Sequence, residues 1–208
     1  MFLGLALAGA AQADTSHEFW PELDIWARLT DSLQLLFSFA GTRDDSGDRT
    51  KGDGEGYLDY RMNAQISFRA GFDYRENLPT EPGTGSSIEH RYVFDFNYRW
   101  KLGESGQLTD RWRLDVRDIE ADTSYRIRNR LKYEQEIKLS RATFTPYVSV
   151  EAYYDTRFDT VSRYRVRSGA TVPFGRRFEG DFYLGWQRDT QPQNAKVVGL
   201  GFTLNCRF

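Results

Sequence analysis

The sequence predicts an all-β protein, a transmembrane antiparallel up-and-down β-barrel of about 10–12 strands. Three observations predict it. From residue 18 onward apolar and polar residues alternate with a period of two; the connections between alternating segments are short and long by turns; and the chain ends in an alternating segment, Gly201 to Phe208, whose last residue is aromatic. Strict alternation gives a strand one apolar and one polar face. A meander of hairpins with tight turns at one end and longer polar loops at the other is the pattern of outer-membrane barrels.

Composition narrows the choice. The 208 residues carry 28% charged and 15% aromatic side chains at a mean hydropathy of -0.65. No segment approaches the roughly 20 apolar residues of a membrane helix, and 5 Trp, 12 Tyr and 15 Phe are too many aromatics for a disordered chain. A single cysteine, Cys206, excludes an intrachain disulfide and a multi-cysteine metal site. The net charge of -2 gives no global signal for nucleic acid.

The first element is an export signal. Residues 2–8 form a short apolar run followed by Gly9-Ala10-Ala11-Gln12-Ala13, a small-residue processing site, so residues 1–13 read as a signal peptide with a truncated n-region and residues 14–208 as one barrel domain. Alternation then picks out segments at 18–29, 33–42, 56–62, 66–76, 88–100, 108–118, 125–136, 144–154, 161–172, 178–188 and 196–208. Tight connections fall at Thr30 to Ser32, Asn63 to Gln65 and Val172 to Arg176, and longer ones rich in Gly, Asp, Pro and Ser at 43–56 and 77–87. Eleven segments conflict with the even strand number usual in bacterial barrels. Either 18–29 lies outside the wall and ten strands close it, or two strands are merged and there are twelve.

Alternation alone does not say which face is wet. Aromatics near strand ends on the apolar face (Tyr74, Tyr98, Trp100, Tyr133, Tyr154 and Trp186) suit the girdles that form where lipid meets water. The basic residues are 23 Arg against 5 Lys, which suits a crowded, partly dehydrated charge network, since guanidinium forks pair carboxylates in fixed geometry. The polar face collects 16 basic residues, among them the ladders Arg111, Arg113, Arg117; Arg126, Arg128, Arg130; and Arg163, Arg165, Arg167. It collects 11 acidic ones, including Glu89, Asp115, Glu134, Glu151 and Glu179. The interior expected is therefore about +5, inside an exterior of about -7. Pairing of these ladders with those carboxylates to fill a narrow barrel is favoured over an anion-selective pore.

Catalytic candidates are few. His17 lies outside the clear strands and His90 shares the apolar face of Tyr92 and Phe94, so neither suits a base beside a nucleophile. Glu151 with Glu134 or Glu89 could do acid–base work, but neighbouring arginines would hold these groups ionised. The segment from Asp44 to Glu55 imitates a calcium loop at several positions, yet has Arg49 where glycine is required and reads as a solvated acidic loop. No catalytic residue, metal site or cofactor is expected, and Cys206 reads as an apolar filler.

The phrases Asp59-Tyr60-Arg61, Gly71-Phe72-Asp73-Tyr74-Arg75, Asp110-Arg111-Trp112-Arg113, Tyr125-Arg126-Ile127-Arg128-Asn129-Arg130-Leu131, Pro146-Tyr147 with Glu151-Ala152-Tyr153-Tyr154-Asp155, and Arg163-Tyr164-Arg165-Val166-Arg167 resemble the predicted outer-membrane barrels grouped as domain of unknown function 2490. The resemblance implies location and architecture but no activity. The expectation is thus a barrel of the bacterial outer membrane that touches its lipid and lipopolysaccharide, with Phe208 as a signal to the barrel-assembly machinery. Its role is structural or that of a narrow pore with an Arg–carboxylate lumen. An outer-membrane enzyme acting on lipid or lipopolysaccharide is the alternative.

Overall fold

The computed structural model describes residues 15–45, 49–78, 87–119, 122–140, 142–192 and 194–208, and the signal-peptide reading of 1–13 lies outside them. The alternating segments form strands β1 (Thr15–Arg28), β2 (Leu33–Arg43), β3 (Arg49–Arg61), β4 (Ile66–Asn77), β5 (Ser87–Leu102), β6 (Gly106–Ile119), β7 (Asp122–Gln135), β8 (Ile137–Lys138), β9 (Thr143–Asp155), β10 (Thr160–Pro173), β11 (Phe178–Asp189) and β12 (Ala195–Arg207). The described residues contain no helix. Each strand hydrogen-bonds antiparallel to its neighbour in sequence, except that β7 pairs directly with β9 and the two-residue β8 only extends the start of β9.

Eleven strands close the wall, neither ten nor twelve. Segment 18–29 is inside it as β1, no two strands were merged, and the ring shuts by a parallel pairing of β1 with β12, from Thr15 opposite Lys196 to Trp26 opposite Arg207. An odd number of alternating strands makes the first and last run the same way, so an antiparallel closure was not available. The terminal residue completes this seam: Phe208 donates its N–H to the Trp26 carbonyl at 2.9 Å, and its own carbonyl accepts from Arg28 N–H at 3.0 Å.

The tight turns at 29–32, 62–65 and 174–177 share one end of the barrel with the β5–β6 turn and Phe208. The loop expected at 43–56 is shorter than the sequence suggested, because β3 begins at Arg49 and its glycines, Gly52, Gly54 and Gly56, pair with Gly41, Phe39 and Phe37 of β2. A Gly- and Asp-rich stretch reads as loop from composition, yet it extends when a long partner strand offers its ladder.

The two faces are sorted as the alternation predicts, charged inward and apolar outward. Phe39, Tyr92, Phe94, Trp112, Val150 and Leu184 are each half or more exposed, whereas Asp73, Asp115 and Asp155 are at most 1% exposed and rank with Val93 and Ser38 as the most completely buried side chains. This inverts the ordinary preference for apolar interiors. Of the aromatics expected near strand ends, Tyr74, Trp100, Tyr133 and Trp186 lie on the outer surface. Trp100 and Tyr133 are toward the tight-turn end, Tyr74 and Trp186 toward the loop end.

Inside, aromatic rings lie on glycines of neighbouring strands. Tyr57 covers Gly71, Trp20 covers Gly185 and Gly199, and Tyr183 covers Gly201; a Cβ at any of these glycines would run into the ring above it, and one at Gly169 would run into the Phe182 carbonyl and the Tyr183 main chain and Cβ. At Gly71 the added atom would also meet the Gly56 carbonyl oxygen, which is backbone and cannot swing away. Gly71→Leu is therefore expected to destabilise the barrel by roughly 1–3 kcal/mol or more through overpacking, whereas Gly54→Ala, with nothing within 4 Å of the new methyl, should be near neutral. Urea unfolding followed by tryptophan fluorescence checks the pair.

Candidate functional site: the charged lumen

Strand register brings the arginine ladders side by side. Arg111 sits opposite Arg130 and Arg113 opposite Arg128 across β6 and β7, while Arg130 faces Glu151 of β9, which faces Arg165 of β10. Like charges directly opposite repel, so each row needs carboxylates interposed. Glu151 supplies one, accepting from Arg111 Nη2 at 2.6 Å and Arg128 Nη2 at 3.1 Å. Asp95 supplies another, holding Arg113 in a two-pronged pairing at 2.6 and 2.8 Å. Glu89 binds Arg91 at 2.7 Å and also takes Arg117.

The centre of the network is Asp155, which accepts from Arg117 at 2.7 Å, Arg126 at 2.7 Å and Arg157 at 3.1 Å with its side chain wholly shielded from solvent. Arg163 pairs with Asp189, and Glu134 with Lys132 at 2.5 Å. Glu179 meets Arg207 at 3.5 Å at the partly exposed rim. Asp115 is fully buried but only 3.6 Å from Arg128, with neither carboxylate oxygen hydrogen-bonded.

Aromatic faces take up cations as well, several of which also hold a carboxylate. Arg69 lies 4.7 Å from the Tyr57 ring centroid, Arg128 4.7 Å from Tyr153, and Arg167 4.7 Å from Tyr183; Lys132 lies 4.4 Å from Tyr147. Such contacts favour cations most when desolvated. Three of these tyrosines turn their hydroxyls to carboxylates: Tyr57 Oη lies 2.5 Å from Asp73 and 2.8 Å from Glu55 and has one proton to share between them, Tyr153 donates to Glu151 at 2.8 Å, and Tyr147 to Asp181 at 3.0 Å. Arg165 is held by the Gln187 amide oxygen at 2.5 Å.

Among the described residues the lumen holds cavities of 330 and 450 Å³, lined in common by Trp26, Arg69, Arg111, Arg130 and Lys132. These five side chains therefore stand where the two spaces approach each other.

All fourteen charged residues predicted for the network lie in wall strands, but their partners differ from those expected. Glu134 pairs with a lysine, Glu179 with Arg207, and among the described residues Arg130 and Arg167 take no carboxylate within 4.0 Å. Sequence reasoning missed Asp155 and Asp189, which sit one residue beyond the expected strand ends; continuing the alternation Glu151, Tyr153, Asp155 would have found the first. It also missed Asp53 and Glu55, assigned to the loop before β3. With Glu18 these make five further inward carboxylates, against three further cations, Lys51, Arg157 and Arg207. The interior excess falls by two, from about +5 to about +3.

The other candidates lie elsewhere. His17 is exposed beside Asp45, its backbone N–H donating to Oδ1 at 3.0 Å, and His90 is on the outer surface between Phe72 and Tyr74. In the segment compared with a calcium loop, residues 46–48 lie outside the described residues and the stretch to Glu55 belongs to β3. Cys206 points to the outer side of β12 and is covered by neighbours.

A closed barrel with its apolar face outside and a paired charge network inside defines the class. The family described as "Protein of unknown function (DUF2490)" matches residues 17–198, and the chain belongs to it. A search of curated proteins returns no match.

Because Asp155 serves three guanidiniums, Asp155→Asn strands buried positive charge and should cost about 3–5 kcal/mol. Glu179→Gln, at the half-exposed rim, should cost under about 1 kcal/mol. Denaturation midpoints of the two variants check the contrast.

Proposed function

We propose that the protein is a barrel of a Gram-negative outer membrane, delivered by its signal peptide, whose lumen serves as a narrow, charge-lined conduit without catalytic activity. The observation that carries this reading is the inversion of faces: outward Phe, Leu, Val, Tyr and Trp around buried Asp, Glu and Arg. In water such a surface would associate; in a bilayer it is the solvated one. Strands of 11–16 residues in the wall meet or exceed the roughly 9–11 that a tilted membrane strand needs. Outer aromatics toward both ends suit the two interfaces, and lipid and lipopolysaccharide are the partners of that wall. Phe208, closing β12 against β1, is the segment offered to the assembly machinery.

The conduit is narrow because its walls are filled. Arginine–carboxylate pairs and stacked rings occupy most of the section, leaving small cavities that meet at charged side chains. Small ions and solutes fit this space better than large ones.

Membrane fractionation and heat-modifiable gel migration test location: recovery in the outer-membrane fraction with a mobility shift on heating is expected, and a soluble protein without a shift contradicts the reading. In planar bilayers the purified protein should give small-conductance events, and their absence at high salt would leave a purely structural barrel.

A further inference from the structure

Once the ion pairs are drawn, the charges left over around the larger cavity are mostly segregated by wall, an exception being Asp181 of β11, which accepts from the Tyr147 hydroxyl and keeps Oδ1 buried without a partner. On β1, β3 and β4, Asp24, Glu55 and Asp73 have no guanidinium within 4.0 Å among the described residues. Glu55 and Asp73 share the hydroxyl of Tyr57, and Oδ1 of Asp24 is buried without any hydrogen-bond partner. On β7 and β10 the surplus is positive. Arg130 and Arg167 take no carboxylate, their Nε atoms are buried and unbonded, and Arg165 has only the neutral Gln187 amide as hydrogen-bond partner.

In the strand order of the ring, β7 stands across from β1 and β2, and β10 across from β3 and β4. All six side chains line the same 450 Å³ cavity. Opposite charges thus face one another over a gap they do not bridge, and its volume falls within the roughly 300–1,000 Å³ of small-molecule sites.

Leaving buried charges unpaired is costly, so the occupant that suits this space carries one charge for each wall. A plain anion would satisfy the arginines but approach the carboxylates, a plain cation the reverse, and a neutral solute would satisfy neither. We infer that the cavity binds a small zwitterion of the amino-acid class, its carboxylate toward Arg130, Arg165 and Arg167 and its ammonium toward Asp24, Glu55 and Asp73. The inference deepens the conduit reading and rests on it for access to the cavity.

The test uses three probes of nearly equal size, L-alanine, propionate and ethylamine, with the full-length protein folded in detergent and binding read by saturation-transfer NMR. Alanine should bind roughly tenfold more tightly than either singly charged probe. The double variant Arg130→Gln, Arg167→Gln should bring alanine down to the level of ethylamine, and Asp24→Asn with Glu55→Gln down to that of propionate. Heat-modifiable migration confirms that each variant is folded; where one is not, the three-probe comparison on the unaltered protein decides. Propionate binding as well as alanine would mean an anion site only, ethylamine binding as well would mean a cation site only, and either result, or no binding at all, overturns the inference. Liposome swelling separates the two readings: binding of alanine without its passage keeps the site and ends the conduit, whereas passage without preference for alanine over glycerol keeps the conduit and ends the site.

Discussion

A guanidinium that turns into a closed barrel cannot leave its charge to bulk water, and the pairing of arginine with carboxylate is the constraint on which the remaining structure depends. It fixes which face is inward, because a strand carrying Arg126, Arg128 and Arg130 on one side can only be placed where acceptors wait. It also sets which strands belong together. Glu151 and Asp155 on β9 collect guanidiniums from β6 and β7, so the register of three strands is tied to two carboxylates. Arginine suits this work better than lysine, since its planar fork can serve a carboxylate and an aromatic face together. Arg128, on Glu151 and over the Tyr153 ring, does both.

The rings answer a different problem, that of filling space. A barrel of this size has room for side chains rather than a wide channel, and long charged side chains pack poorly against one another. Tyr57, Trp20 and Tyr183 lie flat on glycines of adjacent strands, which lets a large ring occupy the wall of the lumen instead of its middle. Their exposed faces then receive Arg69, Arg113, Arg165 and Arg167. Glycine, ring and guanidinium form repeated three-layer stacks, and the unfilled cavities are what remains between them.

Much of this was legible in the sequence. Period-two alternation located every long strand to within a few residues, apart from the start of β3, and sorted the faces correctly, because a one-residue slip would move all the charges to the other side. What was not legible depended on non-local pairing. Gly52 and Gly54 have no side chain to declare a face, so β3 looked like loop until β2 was seen beside it. Asp155, at the end of its strand, carries no local mark of gathering three arginines that are up to 38 residues away in sequence. The parity of the wall was hidden for the same reason: whether β1 joins the ring is decided by β12, at the opposite end of the chain.

That closure by β1 and β12 also bears on how the wall can form. Every other long-strand junction is a hairpin whose partners follow one another closely, and such local contacts form early. The seam joins residues about 180 positions apart, so until Ala195–Arg207 is in place the sheet is a ribbon with two raw margins, β1 and β11, each offering unpaired backbone groups. One strand, β12, satisfies both margins at once. The last thirteen residues of the wall therefore act as a latch, and a chain lacking them would present two sticky edges rather than a slightly smaller barrel.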